Sequence, residues 1–439
     1  MPDSTEQQPS EMPARQRPPA QTAAQPVRTE AQGGEEEEGV LTEDAAGIIQ
    51  LANQIIQDAF QTGVSDIHIE PYPGESPTEI RFRLDGACFK YKDIPHTHWK
   101  PLVSRIKIMS DLDIAEKRRP QSGKIKMMVG RKDVELRVEA TPTAGNREDV
   151  VMRILASGKP LPLDRMNFSP SNLTKLMEII ERLYGMILVV GPTGSGKTTT
   201  LHSILGHLNR PEVKIWTAED PVEITQYGLR QVHEKIGFTF AGAMRSFLRA
   251  DPDIIMVGEM RDAETSEIGI QASLTGHLVL STLHTNSAPE SVTRLIDMGM
   301  DPFNFADSLL GILAQRLVRT LCKECKVSYQ PEADEFEGLR NEYGPDLFDE
   351  LGMKPGQVTL NRPNGCPACN KAGYKGRTGI HELLGGSKGI KKLIQSNARV
   401  EEIRKVALEE GMRTLKQDGI YKVLKGVTDM QEVRRVCIE

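Results

Sequence analysis

The run GPTGSGKTTT at residues 191–200 carries Gly191, Thr193, Gly194, Ser195, Gly196, Lys197 and Thr198 in the spacing G-x-x-x-x-G-K-[ST], with Thr199 directly after. Each residue type has a task at a polyphosphate. Glycines let backbone N–H groups close on phosphate oxygens, and a helix start favours their negative charge. Lys197 can neutralise β and γ oxygens, and the Thr198 hydroxyl can hold Mg²⁺. The apolar MILVV before the loop and LHSILGHL after it supply the strand and helix that such a loop requires. A nucleoside triphosphate with Mg²⁺ is therefore the expected ligand.

Hydrolysis needs a carboxylate near the γ-phosphate. PDIIMVGEMRD delivers Glu259 to the end of an apolar strand, followed by Arg261 and Asp262. Glu259 could act as general base or order a water held by Mg²⁺; Asp262 suits a helix cap equally well. WTAEDPVE offers Glu219, Asp220 and Glu223 at a second strand end, where one carboxylate could touch metal or water, although Asp-Pro is also a turn signal. TGHLVLSTLHTNSA contains His277 and His284. A neutral imidazole at His284 could sense the γ-phosphate, and a buried histidine satisfied by its neighbours is the competing reading.

Cys322, Cys325, Cys366 and Cys369 form two C-x-x-C pairs, while Cys88 and Cys437 stand apart. Four soft thiolates suit a tetrahedral structural Zn²⁺ with no open position for substrate. Thiol–disulfide exchange and unliganded cysteines are the alternatives.

These residues must be positioned by several units. The chain has 439 residues, 38% hydrophobic and 26% charged, and a formal charge of −6. That length accommodates two to four domains at roughly 100–200 residues each. No apolar run reaches the ~18 residues of a membrane span and the N-terminus has no signal core, which excludes integral membrane classes and points to a cytoplasmic chain. The charge offers no global field for nucleic acid, so a nucleic-acid partner is not expected. Residues 1–38, rich in proline and glutamine and ending in an acidic run, read as a disordered leader. Residues 40–160 pattern as an α+β domain: a helix with Ile48, Leu51, Ile55, Ile56 and Ala59 on one face, strands in SDIHIE and IRFRLDG, and a hairpin from GKIKMMVG and KDVELRVEATPT. Over 165–320, apolar strands alternate with amphipathic helices, the pattern of an α/β core with a largely parallel sheet. The cysteine pairs fall within 321–380, and 381–439 reads as two helices, GIKKLIQSN and VEEIRKVALEEGMRTLKQDGIYKVLKG.

The four elements GPTGSGKTTT, TAEDPVE, VGEMRDAET and TGHLVLSTLHTNSA together resemble the secretion ATPase superfamily of type II secretion and type IV pilus machines, with Met260 where isoleucine is usual. The resemblance spans about 45–435. SDIHIEP is similar to the start of the family's second N-terminal domain, EKRRPQSGKI to its EKR-x-PQDGR segment, and LVRTLCKECK with CPACNKAGYKGRTGIHELL to the tetracysteine segment of assembly and secretion members, which retraction members usually lack. It implies a RecA-like P-loop ATPase core, an N-terminal α+β (PAS-like) domain, a tetracysteine zinc subdomain and terminal helices. It further implies ATP, Mg²⁺ and Zn²⁺ as cofactors, Glu259, Lys197, Glu219 and His284 in catalysis, a hexameric ring, and an inner-membrane platform protein as partner, reached peripherally. Arg119, or Arg118, and Arg137 are implied to approach a neighbouring subunit's nucleotide. Ser122 and Lys124 stand where the family often has aspartate and arginine, so the contacts of that loop are open. Only a polar tail precedes residue 40, so the docking domain of many assembly members is expected to be absent, altered or supplied by another protein. The rival functions are a DNA-uptake or conjugation translocase, a pilus-retraction ATPase, and a non-catalytic nucleotide switch.

Overall fold

The computed structural model describes residues 37–155, 160–234 and 237–437. The disordered leader expected over 1–38 therefore lies outside the described residues, apart from Glu37 and Glu38, which begin the first helix.

Helix α1 (Glu37–Thr62) and helix α2 (Trp99–Met109) pack on one antiparallel sheet built from β1 (Asp66–Glu70), β2 (Thr78–Leu84), β3 (Ala87–Ile94), β4 (Gln121–Val129), β5 (Lys132–Thr143) and β6 (Arg147–Ile154), in the order β3-β2-β1-β6-β5-β4. The expected face of α1 is the one that is buried: Ile55, Ile56 and Ala59 are at most 1% exposed, and each isoleucine so placed stabilises by roughly 2–3 kcal/mol. Gly63, at φ 75°, ends the helix. Asp85 and Gly86 both take positive φ between β2 and β3, the backbone that a two-residue hairpin turn needs.

The second sheet carries the nucleotide loop. After α3 (Pro170–Ile180) come β7 (Gly185–Val190), α4 (Lys197–Leu208), β8 (Ile215–Glu219), β9 (Arg230–His233), α5 (Phe240–Phe247), β10 (Ile254–Val257), α6 (Ala263–Leu274), β11 (Leu278–Leu283), α7 (Ala288–Asp297), α8 (Pro302–Ser308) and β12 (Leu309–Leu321). All residues of β7 and β11 are buried, as expected of parallel strands covered on both faces.

Sequence patterning closes this core at 320, but the sheet continues beyond it. Past the small β13 (Val327–Tyr329), α9 (Ala333–Tyr343), α10 (Pro345–Asp349) and β14 (Leu360–Arg362), strand β15 (Tyr374–Gly385) returns to pair antiparallel with β12, giving the order β15-β12-β7-β11-β10-β8-β9. Alternation in HELLG is weak because β15 is continuously buried from Thr378 to Leu384, and its partner lies far back in sequence.

The C-terminal segment also differs from its pattern. The stretch read as one long helix is two, α12 (Val400–Glu409) and α13 (Leu415–Leu424), which follow α11 (Lys388–Gln395) and precede α14 (Met430–Val436). Gly411 at φ 89° stops the first, and Thr414 with Gln417 forms a capping box that starts the second. Ile390, Ile394, Ile403 and Ala407 join the main core, so α11 and α12 are part of the ATPase body.

Candidate active site

The phosphate loop leaves β7 at Val190 and enters α4 at Lys197. Gly191, Gly194 and Gly196 take φ of 151°, 77° and 90°, conformations that disfavour a Cβ. Gly196 caps α4 with no side-chain hydrogen bond to the first turn, which leaves backbone N–H groups at the positive end of the helix for phosphate oxygens. The Lys197 ammonium donates to the carbonyls of Gly191 at 2.8 Å and Pro192 at 3.2 Å. Burial lowers its pKa, opposed by the nearby Glu259 carboxylate and reinforced by Arg316.

That mutual influence reflects how the strand tips meet. Val257 of β10 pairs with Ser281 of β11. Just beyond, the Ser281 hydroxyl donates to Val257 O at 2.9 Å, the Thr282 hydroxyl to Gly258 O at 2.7 Å, and Met260 N to Thr282 O at 3.1 Å. These bonds fix Glu259 beside His284: Oε1 lies 3.3 Å from His284 Nε2, and Oε2 accepts from Arg261 Nε at 2.8 Å. Arg261 also reaches Asp220 at 3.7 Å and Glu234 at 4.0 Å, and its pKa is raised chiefly by the hydrogen bond with Glu259. His284 is exposed, unlike a satisfied core histidine, whereas the His277 ring is held by Ala272 O at 2.9 Å within a turn. Asp262 resolves as the cap of α6, accepting from Thr265 N at 2.8 Å.

Glu219 occupies the end of β8 but does not present a free carboxylate. It is 3% exposed. Oε2 meets His202 Nε2 at 3.0 Å, while Oε1 accepts from the Thr217 hydroxyl at 2.6 Å and from Gln231 Nε2 at 3.1 Å. Gln226 Nε2 lies 2.7 Å from the other ring nitrogen of His202. Through His202, Glu219 thus ties α4 to β8. A histidine in TTTLHSIL gave no sign of this, because its partner is on another strand.

Arg119 is exposed on the loop before β4, and Arg137 on β5 pairs with Glu139 at 2.8 Å. Among the described residues neither hydrogen-bonds nor ion-pairs with residues 191–200 of the same chain. The loop carrying Arg119 is firmly held: Lys107, 1% exposed, donates to Glu116 O at 2.8 Å, and Gln121 Nε2 donates to the carbonyls of Asp113 at 3.0 Å and Glu116 at 2.9 Å. The N-terminal unit touches β15, since Gly376 N donates to Asp85 Oδ2 at 2.9 Å.

The four cysteines converge with all sulfurs within 4.8 Å of one another. Cys322 to Cys366, Cys325 to Cys369 and Cys366 to Cys369 measure 3.9, 3.8 and 3.7 Å. A tetrahedron with metal–sulfur bonds of about 2.3 Å has edges of about 3.8 Å, so the set fits one metal ion and is too wide for disulfides. Backbone N–H groups of Gly365, Cys366 and Gly373 donate to these sulfurs at 3.2–3.3 Å, as suits thiolates. Burial pushes the Cys369 thiol up, but the N–H groups of Cys366 and Gly373, with the Cys366 and Cys325 side chains, prevail and lower it.

A glycine-rich loop between strand and helix, a strand-end glutamate beside it and a mostly parallel sheet with a RecA-like core define a P-loop ATPase. Residues 41–435 match the family described as Type II/IV secretion system protein, and the chain belongs to it. It is 45% identical over 401 residues to the Type II secretion system ATPase E of Vibrio cholerae, covering 91% of this chain and 77% of that one. It is 46% identical over 394 residues to the Type IV pilus assembly ATPase PilB of Myxococcus xanthus, covering 89% and 68%. Among solved structures, the pilus retraction motor PilT with bound ADP superimposes with a TM-score of 0.60 at 25% identity over 88% of this chain and 96% of that one. The Legionella pneumophila ATPase DotB does so at 0.63 with 21% identity over 88% and 94%, a likeness of fold. This protein is an ATPase.

Proposed function

We propose that this chain is the motor of a machine that extrudes pilin-like subunits, a type IV pilus or a type II secretion pseudopilus, and that it acts as a hexameric ring at the cytoplasmic side of the inner membrane against a platform protein. The names of its relatives support the machine class, and no helix among the described residues is long and apolar enough to cross a bilayer. The observation that carries the chemistry is the hydrogen bond from Gly191 N to Leu283 O at 3.3 Å, which sets the loop holding Lys197 beside His284 and the Glu259 that His284 and Arg261 contact.

In this reading Lys197 exchanges its loop carbonyls for phosphate oxygens, and Glu259 orients the attacking water. Thr198 would hold Mg²⁺, which neutralises phosphate charge when bound. Arg119 and Arg137 of one subunit complete the nucleotide site of the next, where a planar cation stabilises charge on the γ-phosphate. Closure excludes water and strengthens these interactions. Zn²⁺ on Cys322, Cys325, Cys366 and Cys369 is structural, since four protein ligands leave no open position.

The test is turnover against assembly state. The chain should hydrolyse Mg-ATP as a ring, Lys197→Ala should lose nucleotide binding, and the platform protein should co-purify with the ring. Full-rate turnover by a strictly monomeric preparation would overturn the ring, and DNA-stimulated turnover would favour a translocase.

A further inference from the structure

The register of the core sheet sets two consecutive residues of β12 against the two loops that the reaction needs. Ala314 pairs with Val190, so Gln315 comes level with Gly191. The Gln315 side chain is 1% exposed and both its ends are used. Nε2 donates to Ser195 O at 2.7 Å and Oε1 accepts from the Thr200 hydroxyl at 2.6 Å. The fit is tight: a Cβ on Gly196 would lie 2.7 Å from Gln315 Nε2, and one on Gly191 would lie 2.5 Å from Gln315 O.

Arg316 projects to the other face, as successive strand residues must. There its Nη2 donates to Asn286 O at 3.2 Å and Asn286 Oδ1 at 3.0 Å, two residues past His284. Its charge is also felt at Lys197, whose pKa it helps to lower after burial. The backbone ladder of β12 uses neither side chain. A strand buried on both faces is ordinarily apolar, and a buried amide is tolerated only when its hydrogen bonds are made. Here all of those bonds are spent on the phosphate loop.

We propose that Gln315 and Arg316 are positioning residues for ATP hydrolysis: Gln315 holds residues 191–200 in the phosphate-accepting form, and Arg316 holds the loop carrying His284, so that one strand sets the spacing between them. This rests on 191–200 being the nucleotide site. The two residues act on different steps, because phosphate binding is made by one loop and reading of the γ-phosphate by the other.

The experiment measures binding of a fluorescent ATP analogue and steady-state kcat in the full-length ring. Gln315→Leu, which removes both bonds at similar size, should weaken binding about tenfold. Gln315→Glu, which keeps the acceptor for Thr200 but loses the donor to Ser195, should also weaken it. Arg316→Met should disturb binding far less than Gln315→Leu does and lower kcat about tenfold, with partial recovery in Arg316→Lys. Parental binding in Gln315→Leu, or loss of binding and kcat in the same proportion in both Gln315→Leu and Arg316→Met, would overturn the assignment. If Gln315→Leu does not fold, Thr200→Val removes the hydroxyl bonded to Gln315 Oε1 at 2.6 Å, together with its longer 3.3 Å contact to Gly196 O, and should weaken binding roughly threefold; parental binding there would overturn it equally. Lys197→Ala is the control: parental binding in that variant would remove the nucleotide-site reading itself, and this proposal with it.

Discussion

His284 Nε2 lies 3.3 Å from Glu259 Oε1, so the tips of two adjacent parallel strands share one contact at the mouth of the phosphate loop. The imidazole and Arg261 occupy opposite oxygens of the same carboxylate. In the proposed mechanism, an anion in the loop that draws Arg261 or His284 toward it frees one oxygen of Glu259 for water.

Glu259→Gln should therefore bind ATP as the parent does and lose about 10²–10⁴ in kcat, the range for a positioned acid–base group. His284→Ala should lose less, because Arg261 still orients the carboxylate. Binding titrations beside single-turnover rates check both, and parental turnover in Glu259→Gln would take that residue out of the mechanism.

Arg137→Ala subunits should be poor in homogeneous rings yet turn over at their own site when mixed with Glu259→Gln subunits, whose intact Arg137 completes it. Complementation follows from the proposed ring, in which the two lesions fall on different sides of one subunit interface. Titrating one variant into the other and following ATPase rate reads this, and strictly additive loss would place Arg137 within its own subunit's business.

Replacing Cys322 and Cys325 by serine should abolish equimolar bound zinc and lower the melting temperature. The effect should be felt in the nucleotide core as well, because Cys322 directly follows β12. Metal analysis with calorimetry tests this; unchanged zinc content in the double variant would exclude a thiolate site.

Acid should loosen the C-terminal helix. Burial pushes the Glu432 carboxyl up, but hydrogen bonds from Arg435 and from the side chain and backbone of Arg319 prevail and hold it at about 2 instead of the ordinary 4.5. A depressed folded pKa means stability that is present above the unfolded value and lost as pH falls from about 4.5 through about 2. The amount is on the order of 3 kcal/mol. Glu432→Gln should flatten the melting temperature against pH over that window, and an unchanged profile would show that other carboxylates control acid unfolding.

Much of the site was legible because its residues are contiguous or at fixed spacing. GPTGSGKTTT needs glycines where φ is positive and a lysine at the helix start, and one short stretch contains them all. Glu259 was legible as the end of the apolar strand IIMV. The two C-x-x-C pairs announced a metal geometry before any distance was known. Gln315, Arg316 and His202 were not legible, since each is an ordinary polar residue whose partner sits far away in the chain: Gln315 bonds Ser195 and Thr200, and His202 bonds Glu219.

Local chemistry thus determined which groups the chain brings to a site: a glycine-rich loop with a lysine at 191–200, a carboxylate at 259, a thiolate set at 322–369. Only the tertiary structure decided that β15 completes the nucleotide sheet, that Glu219 is buried against His202, that His284 stands open beside Glu259, and that Gln315 bonds Ser195. The physical reason is range. Backbone conformation and charge type act over a few residues and are written in order along the chain, whereas burial and hydrogen-bond pairing depend on which distant strands come to lie side by side.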